Sequence, residues 1–294
     1  MVDRRGLVSA WTAGSATITT IVESDIAGIP PELFFPTGSA AEVAAHDWLV
    51  PAYAAADGTI TLRVQALVVT IAGRTVLVDP CVGDGKTRAL LFWHQQAWGG
   101  MARFAEAGFD AEAVDTVVHT HLHADHVGWD THEEDGAWVP TFTNARHLYT
   151  EAEVAHWKAD EQRGDEDVWA DSVEPIFTAG LADLVAEDAD LGDGLRLTPT
   201  TGHTPGHTSL WIESDGERAV ITGDLIHHPV QCAEPGWNEI GDVDTDQATA
   251  TRRAFLEAVA DRDTLVIGTH FPTRPAGRVT ADGGAFRFLP GWRP

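Results

Sequence analysis

Residues 119–126 read His119-Thr-His121-Leu-His123-Ala-Asp125-His126, and three imidazoles and a carboxylate fall within the six positions from His121 to His126. Neutral imidazole is the commonest protein ligand for zinc-like ions, and carboxylates complete such sites. The run follows Ala113-Val-Asp-Thr-Val-Val118, an apolar stretch that reads as a short buried strand. Ligands at a strand's end sit on a loop that a rigid element holds in place. A lone histidine is more often structural, and a histidine tract can bind metal adventitiously. The Asp and His at fixed offsets favour a built metal site.

Three later segments carry the same kinds of group. Thr201-Gly-His203-Thr-Pro-Gly-His207 lies between the apolar stretches 195–197 and 209–212. Ala219-Val-Ile-Thr-Gly-Asp224 is a β-branched strand ending in Gly-Asp, and Leu265-Val-Ile-Gly-Thr-His270 is another apolar run ending in His. Polar groups beyond the same ends of several strands converge on one edge of a fold.

The ordered set H-x-H-x-D-H at 121–126, G-H-T-P-G-H at 202–207, G-D at 223–224 and His270 resembles the metallo-β-lactamase superfamily of hydrolases. The resemblance covers most of the chain. It implies an α/β fold, the αβ/βα four-layer sandwich of two mixed sheets flanked by helices. It also implies two divalent metal ions. His121, His123 and His203 would hold the first, Asp125, His126 and His270 the second, and Asp224 would bridge them. Zinc is expected first, and manganese, cobalt or iron also suit such N/O donors. His203 is preferred to His207 because the family's ligand is the first His of the repeated Gly-His, which leaves His207 a turn or supporting residue. His119 is expected to pack or to support the ligands. Asp79, at the end of Thr75-Val-Leu-Val-Asp79, stands where the family often has an Asp that orients a ligand.

In such a centre the two cations share a water and lower its pKa toward neutrality. Asp125 would then both bind metal and orient the nucleophile. Among compact members the chain resembles the quorum-quenching acyl-homoserine lactonases and the methyl-parathion-hydrolase-like enzymes. The expected function is a dinuclear-metal hydrolase that opens a small-molecule lactone or ester. A phosphotriesterase or arylesterase is the alternative, with a mononuclear iron sulfur dioxygenase or a non-catalytic metal store further behind. One departure matters. Well-known lactonases carry a Tyr three positions after the bridging Asp, and His227 stands there. An imidazole could donate a hydrogen bond, and an imidazolium could protonate the leaving alkoxide. His227 therefore joins Asp125 as a candidate catalytic residue, against a reading of His227-His228-Pro229 as loop packing.

Composition narrows the partners. With 45 acidic against 19 basic residues the net charge is -26, which repels polyanions and argues against nucleic acid. Met1-Val-Asp-Arg-Arg-Gly is followed by no apolar signal region, and no run is long enough to span a membrane. Cytoplasmic location and reduced thiols at Cys81 and Cys232 are the corresponding expectations. The scattered ligands favour one domain over 1–294. Strands are predicted over 16–23, 60–70, 75–79 and 146–149, with helices over 86–108, 151–160 and 246–259. Residues 161–172 read as an acidic solvated loop and 275–294 as a short tail. Residues 24–58, rich in Pro and aromatics, suit either a covering segment or a lid or homodimer arm.

Overall fold

The runs Thr17-Ile-Thr-Thr-Ile-Val22 and Val64-Gln-Ala-Leu-Val-Val-Thr-Ile71 extend because β-branched side chains pack well on a pleated surface. They lie in the first of two seven-stranded sheets, whose order is Val8–Ala13, Ala16–Ile29, Ile60–Ile71, Arg74–Val78, Thr116–Val118, Arg146–Thr150, Ala182–Val185. A computed structural model describes residues 6–159 and 168–292. The chain divides into two compact units, Met1–Ser24 with Val64–Glu187 and Asp25–Arg63 with Asp188–Pro294. The unit boundaries fall inside the strands Ala16–Ile29 and Ile60–Ile71.

In the first unit, Ala72 and Gly73 both take positive φ (51° and 81°) and close the predicted hairpin as Ile71 pairs with Arg74. Beyond that hairpin the sheet turns parallel, with Val78 opposite Val118 and Val118 opposite Leu148. Thr116–Val118 is buried throughout, as a strand covered on both faces must be. One core gathers Ile21, Val64, Leu77, Val117, Phe104 and Trp129. Another gathers Leu122 and Val127, from the histidine loop itself, with Tyr149, Val154 and Ile176.

In the second unit the sheet order is Asp190–Gly192, Leu195–Pro199, Thr208–Ser214, Glu217–Ile221, Thr264–Ile267, Ala276–Asp282, Ala285–Pro290. All pairs are antiparallel except Glu217–Ile221 with Thr264–Ile267. The helix Thr245–Val259 makes the crossover between these two strands. Asp244 caps it by accepting from Gln247 N at 2.9 Å, and Ala248, Arg252, Phe255, Leu256 and Val259 form its buried face. Phe35, Val43, Leu49 and Tyr53 pack into this unit's core with Val220, Leu256, Val266, Phe271 and Phe288. Among the described residues, no helix is long and apolar enough to cross a membrane.

Three expectations need correction. Of residues 86–108 only Gly100–Glu106 is helical. The Asp84 carboxylate accepts from Trp98 N and Gly99 N, so the segment before Gly99 closes into turns, and Gln95 and Gly99 have positive φ. Part of the acidic loop, 161–167, lies outside the described residues. The remainder is helical from Trp169, and Asp171 is buried because Arg88 grips it with two bonds of 2.6 and 3.1 Å. The tail is a hairpin, Ala276–Asp282 against Ala285–Pro290, turned by Gly283 and Gly284.

Candidate metal centre

The parallel register of the first sheet puts the residues after Val78 beside those after Val118. Asp79 N donates to Val118 O at 3.1 Å, and the Asp79 carboxylate accepts from Thr120 N and Thr120 Oγ1, both at 2.8 Å. The same carboxylate lies 3.0 Å from His126 Nδ1. Asp79 thus lies beside Nδ1 of His126, with Nε2 as the outward atom of the ring. His121 is fixed alike, with Nδ1 3.1 Å from Thr120 Oγ1 and Nε2 2.9 Å from His123 Nδ1. The rings of His121 and His126 are 4.1 Å apart, and Asp125 Oδ1 is 3.7 Å from His126 Nε2. His121 and His126 are fully buried, and Asp125 is 9% exposed. The loop backbone is held by Glu153, which accepts from Leu122 N at 3.2 Å.

In the second unit, Ile221 pairs in parallel with Ile267, so Asp224 and His270, each three residues further on, emerge side by side. His270 Nε2 lies 3.0 Å from Asp224 Oδ1. Pro199 pairs with Thr208, so the connection bearing His203 and His207 opens at the same sheet edge. His203 Nε2 lies 3.4 Å, and His227 Nε2 3.1 Å, from Asp224 Oδ2. Three imidazole Nε2 atoms therefore face one buried carboxylate. The second nitrogens are again tied down. His270 Nδ1 donates to Arg63 O at 2.7 Å, and His203 Nδ1 lies 2.9 Å from Asp242 Oδ1 and 3.1 Å from Glu239 Oε1. Burial opposes protonation of His203, but its bonds to Asp242 and Glu239 outweigh that and raise its pKa to about 10. Because those carboxylates hold the proton on Nδ1, a metal at Nε2 leaves this pairing intact.

His207 supports the centre. Asp224 N donates to His207 Nε2 at 2.9 Å, which places the ring proton on Nδ1, next to Thr200 Oγ1 at 2.8 Å. His228 is structural: it donates from Nε2 to Tyr53 O and accepts from Val230 N at Nδ1, and burial lowers its pKa to about 4. His227 differs, since its ring faces Asp224 and stacks parallel to His270 at 5.6 Å, with Phe34 edge-on at 5.4 Å.

Glu239, Asp242 and Arg252 carry no sequence motif. Arg252 is 1% exposed, donates to the carbonyls of Leu225, Pro235 and Trp237, and lies 3.5 Å from Asp242 Oδ2. Position 252 falls on the buried face of the helix with Ala248, Phe255, Leu256 and Val259, where an arginine signals a polar network. The donor types in each unit, imidazole nitrogen and carboxylate oxygen with the far ring nitrogen anchored, fit divalent ions of the zinc type.

The sequence profile of the Metallo-beta-lactamase superfamily matches residues 60–270. Among solved structures, the chain is similar to AidC, a dizinc quorum-quenching lactonase in complex with a homoserine product, at 22% identity over 98% of both chains and a TM-score of 0.80. It is similar to AbOPH, a hydrolase in the beta-lactamase superfamily, at 22% identity over 98% of both chains and a TM-score of 0.81. A probable metal-dependent hydrolase from Staphylococcus aureus is 19% identical over 96% of this chain and 100% of its own, with a TM-score of 0.73. At these identities the likeness is one of fold. No curated protein sequence matches the chain.

Proposed function

The chain belongs to the metallo-beta-lactamase superfamily and carries the fold of its metal-dependent hydrolases, and from this premise we propose that it is a dinuclear-metal hydrolase that opens a small-molecule lactone or ester. His121, His123 and His203 would hold one ion, Asp125, His126 and His270 the other, and Asp224 would bridge. Two such ions, zinc first, supply an activated water and a Lewis acid for the electrophilic centre. The observation that carries the reading is the facing of His203, His227 and His270 toward Asp224, with the far nitrogens of His203 and His270 anchored.

The chain's own groups do the rest. Asp79, Thr120, Asp242 and Arg63 O keep His126, His121, His203 and His270 in the tautomer that presents Nε2. Asp125 orients the attacking water. His227 Nε2 faces Asp224, and as the imidazolium it would give its proton to the leaving alkoxide and be left a neutral imidazole, with Phe34 edge-on to the ring. Exposed apolar side chains flank this loop: Leu33 (67%), Ile240 (66%) and Val243 (53%). Ile240 N donates to Phe34 O and Val243 N to His203 O, so the patch is tied to the ligand-bearing loops. That arrangement favours a substrate with a hydrocarbon tail, such as an acyl-homoserine lactone. His227 in place of the lactonases' tyrosine keeps aryl esters and phosphotriesters as the second reading.

The test assays zinc-loaded protein on an acyl-homoserine lactone, an aryl ester and a phosphotriester, beside Asp224→Ala. The reading expects the lactone to be the best substrate and the variant to lose most turnover. Full activity of Asp224→Ala contradicts the bridging role, and preference for the phosphotriester contradicts the substrate class.

A further inference from the structure

His119, Asp130 and His147 form a second buried cluster, within the first unit, that the hydrolytic centre does not use. His119 follows the strand Thr116–Val118, Asp130 ends the short turn Gly128–Asp130, and His147 lies in the strand Arg146–Thr150. His119 is 2% exposed and the other two are fully buried. His119 Nε2 lies 2.7 Å from Asp130 Oδ2, and His147 Nδ1 lies 3.1 Å from Asp130 Oδ1. One donor atom from each of the three lies within 4.8 Å of the others. Tyr149 lies flat on His119, with ring centroids 4.5 Å apart, and its hydroxyl is 3.4 Å from Asp130 Oδ2.

The ring nitrogens of this cluster are only partly satisfied by hydrogen bonds. His119 Nδ1 is 3.1 Å from Leu148 O, and a carbonyl only accepts, so Nδ1 carries the proton. The other ring nitrogen, Nε2, is directed to the Asp130 carboxylate. Moreover, His147 Nδ1 and Asp130 Oδ1 are in contact without meeting hydrogen-bond geometry, and His147 Nε2 has no hydrogen-bond partner either. Three buried donors this close, with both His147 nitrogens left without a hydrogen bond, suit the ligands of one ion.

We propose that His119, Asp130 and His147 hold a divalent cation of the zinc type in a structural site separate from the hydrolytic centre. Two imidazoles and a carboxylate are a zinc donor set. His119 and Asp130 bracket the histidine loop, so an ion here ties both ends of that loop to the strand bearing His147. The site does not depend on the hydrolytic reading, because it shares no ligand with it.

The experiment counts zinc per chain by elemental analysis in full-length, zinc-reconstituted protein, wild type beside His147→Gln, with circular dichroism to show that the variant is folded. The expected result is the loss of one zinc per chain in the folded variant. Anomalous scattering at the zinc edge from wild-type crystals, which needs no variant, should place a peak among the three side chains. Unchanged zinc content in folded His147→Gln, or a wild-type map with no peak there, overturns the proposal and leaves a proton between His119 and Asp130.

Discussion

Replacing Asp79 with Asn tests whether the carboxylate beneath the histidine loop sets metal affinity. Asp79 is fully buried at a φ of 51°, which Asn tolerates well, so the exchange perturbs chemistry more than backbone. The carboxylate accepts from Thr120 N and Thr120 Oγ1 at 2.8 Å and faces His126 Nδ1 at 3.0 Å. An amide has one acceptor oxygen and one donor nitrogen. If the oxygen stays on Thr120 N, the amide NH2 meets the N–H of His126. Two donors cannot bond, so the imidazole moves its proton to Nε2, the atom proposed to bind metal. Loss of such a partner lowers metal affinity roughly 10–100-fold, or about 1.4–2.8 kcal/mol at about 1.4 kcal/mol per decade. Zinc titration against a competing chelator measures this, with thermal unfolding of the metal-free protein as the control for fold. Wild-type affinity in a folded Asp79→Asn variant would refute the reasoning.

Further outcomes follow from the same geometry. His227→Ala should lower kcat/KM about 10²–10⁴-fold on the best substrate, the range for a lost general acid; near-normal kcat/KM removes His227 from the mechanism. Burial raises the Glu23 carboxyl to about 7 from 4.5, against the opposing bonds from Trp129, Val82 and Gly83. Between those values the folded state holds a proton that the unfolded state has released. Stability should therefore fall by about 3 kcal/mol as pH rises through this window, and denaturant titrations of Glu23→Gln should lack that slope. Gly202→Ala would bring a Cβ within 2.3 Å of Ala248 N at a φ of +130°. It should lower stability by about 1–3 kcal/mol or more, read as a lower unfolding midpoint, and an unchanged midpoint contradicts this account of the Gly-His turn.

The candidate donor groups and their strand-end positions were legible because metal chemistry restricts residue type, and because β-branched runs such as Ala219–Ile221 and Leu265–Ile267 announce strands. Register added what spacing could not: Asp224 and His270 meet because Ile221 pairs with Ile267 in parallel. Residues 86–108 misled because Leu90, Leu91, Phe92 and Trp93 are apolar without helical period. The deciding feature is the Asp84 side chain, which closes the loop onto Trp98 and Gly99. The hairpin at 276–290 had a signal in its Gly283-Gly284 turn between alternating residues. Glu239, Asp242 and Arg252 stayed hidden because their role arises when a loop of no special pattern folds over a helix face.

Acid release by zinc-loaded protein on a long-chain acyl-homoserine lactone, with a chelated sample as control, tests the central claim most directly. The account predicts rapid release that the chelator abolishes. No release from protein shown to hold its metal ions would contradict the assignment as a lactone-opening hydrolase.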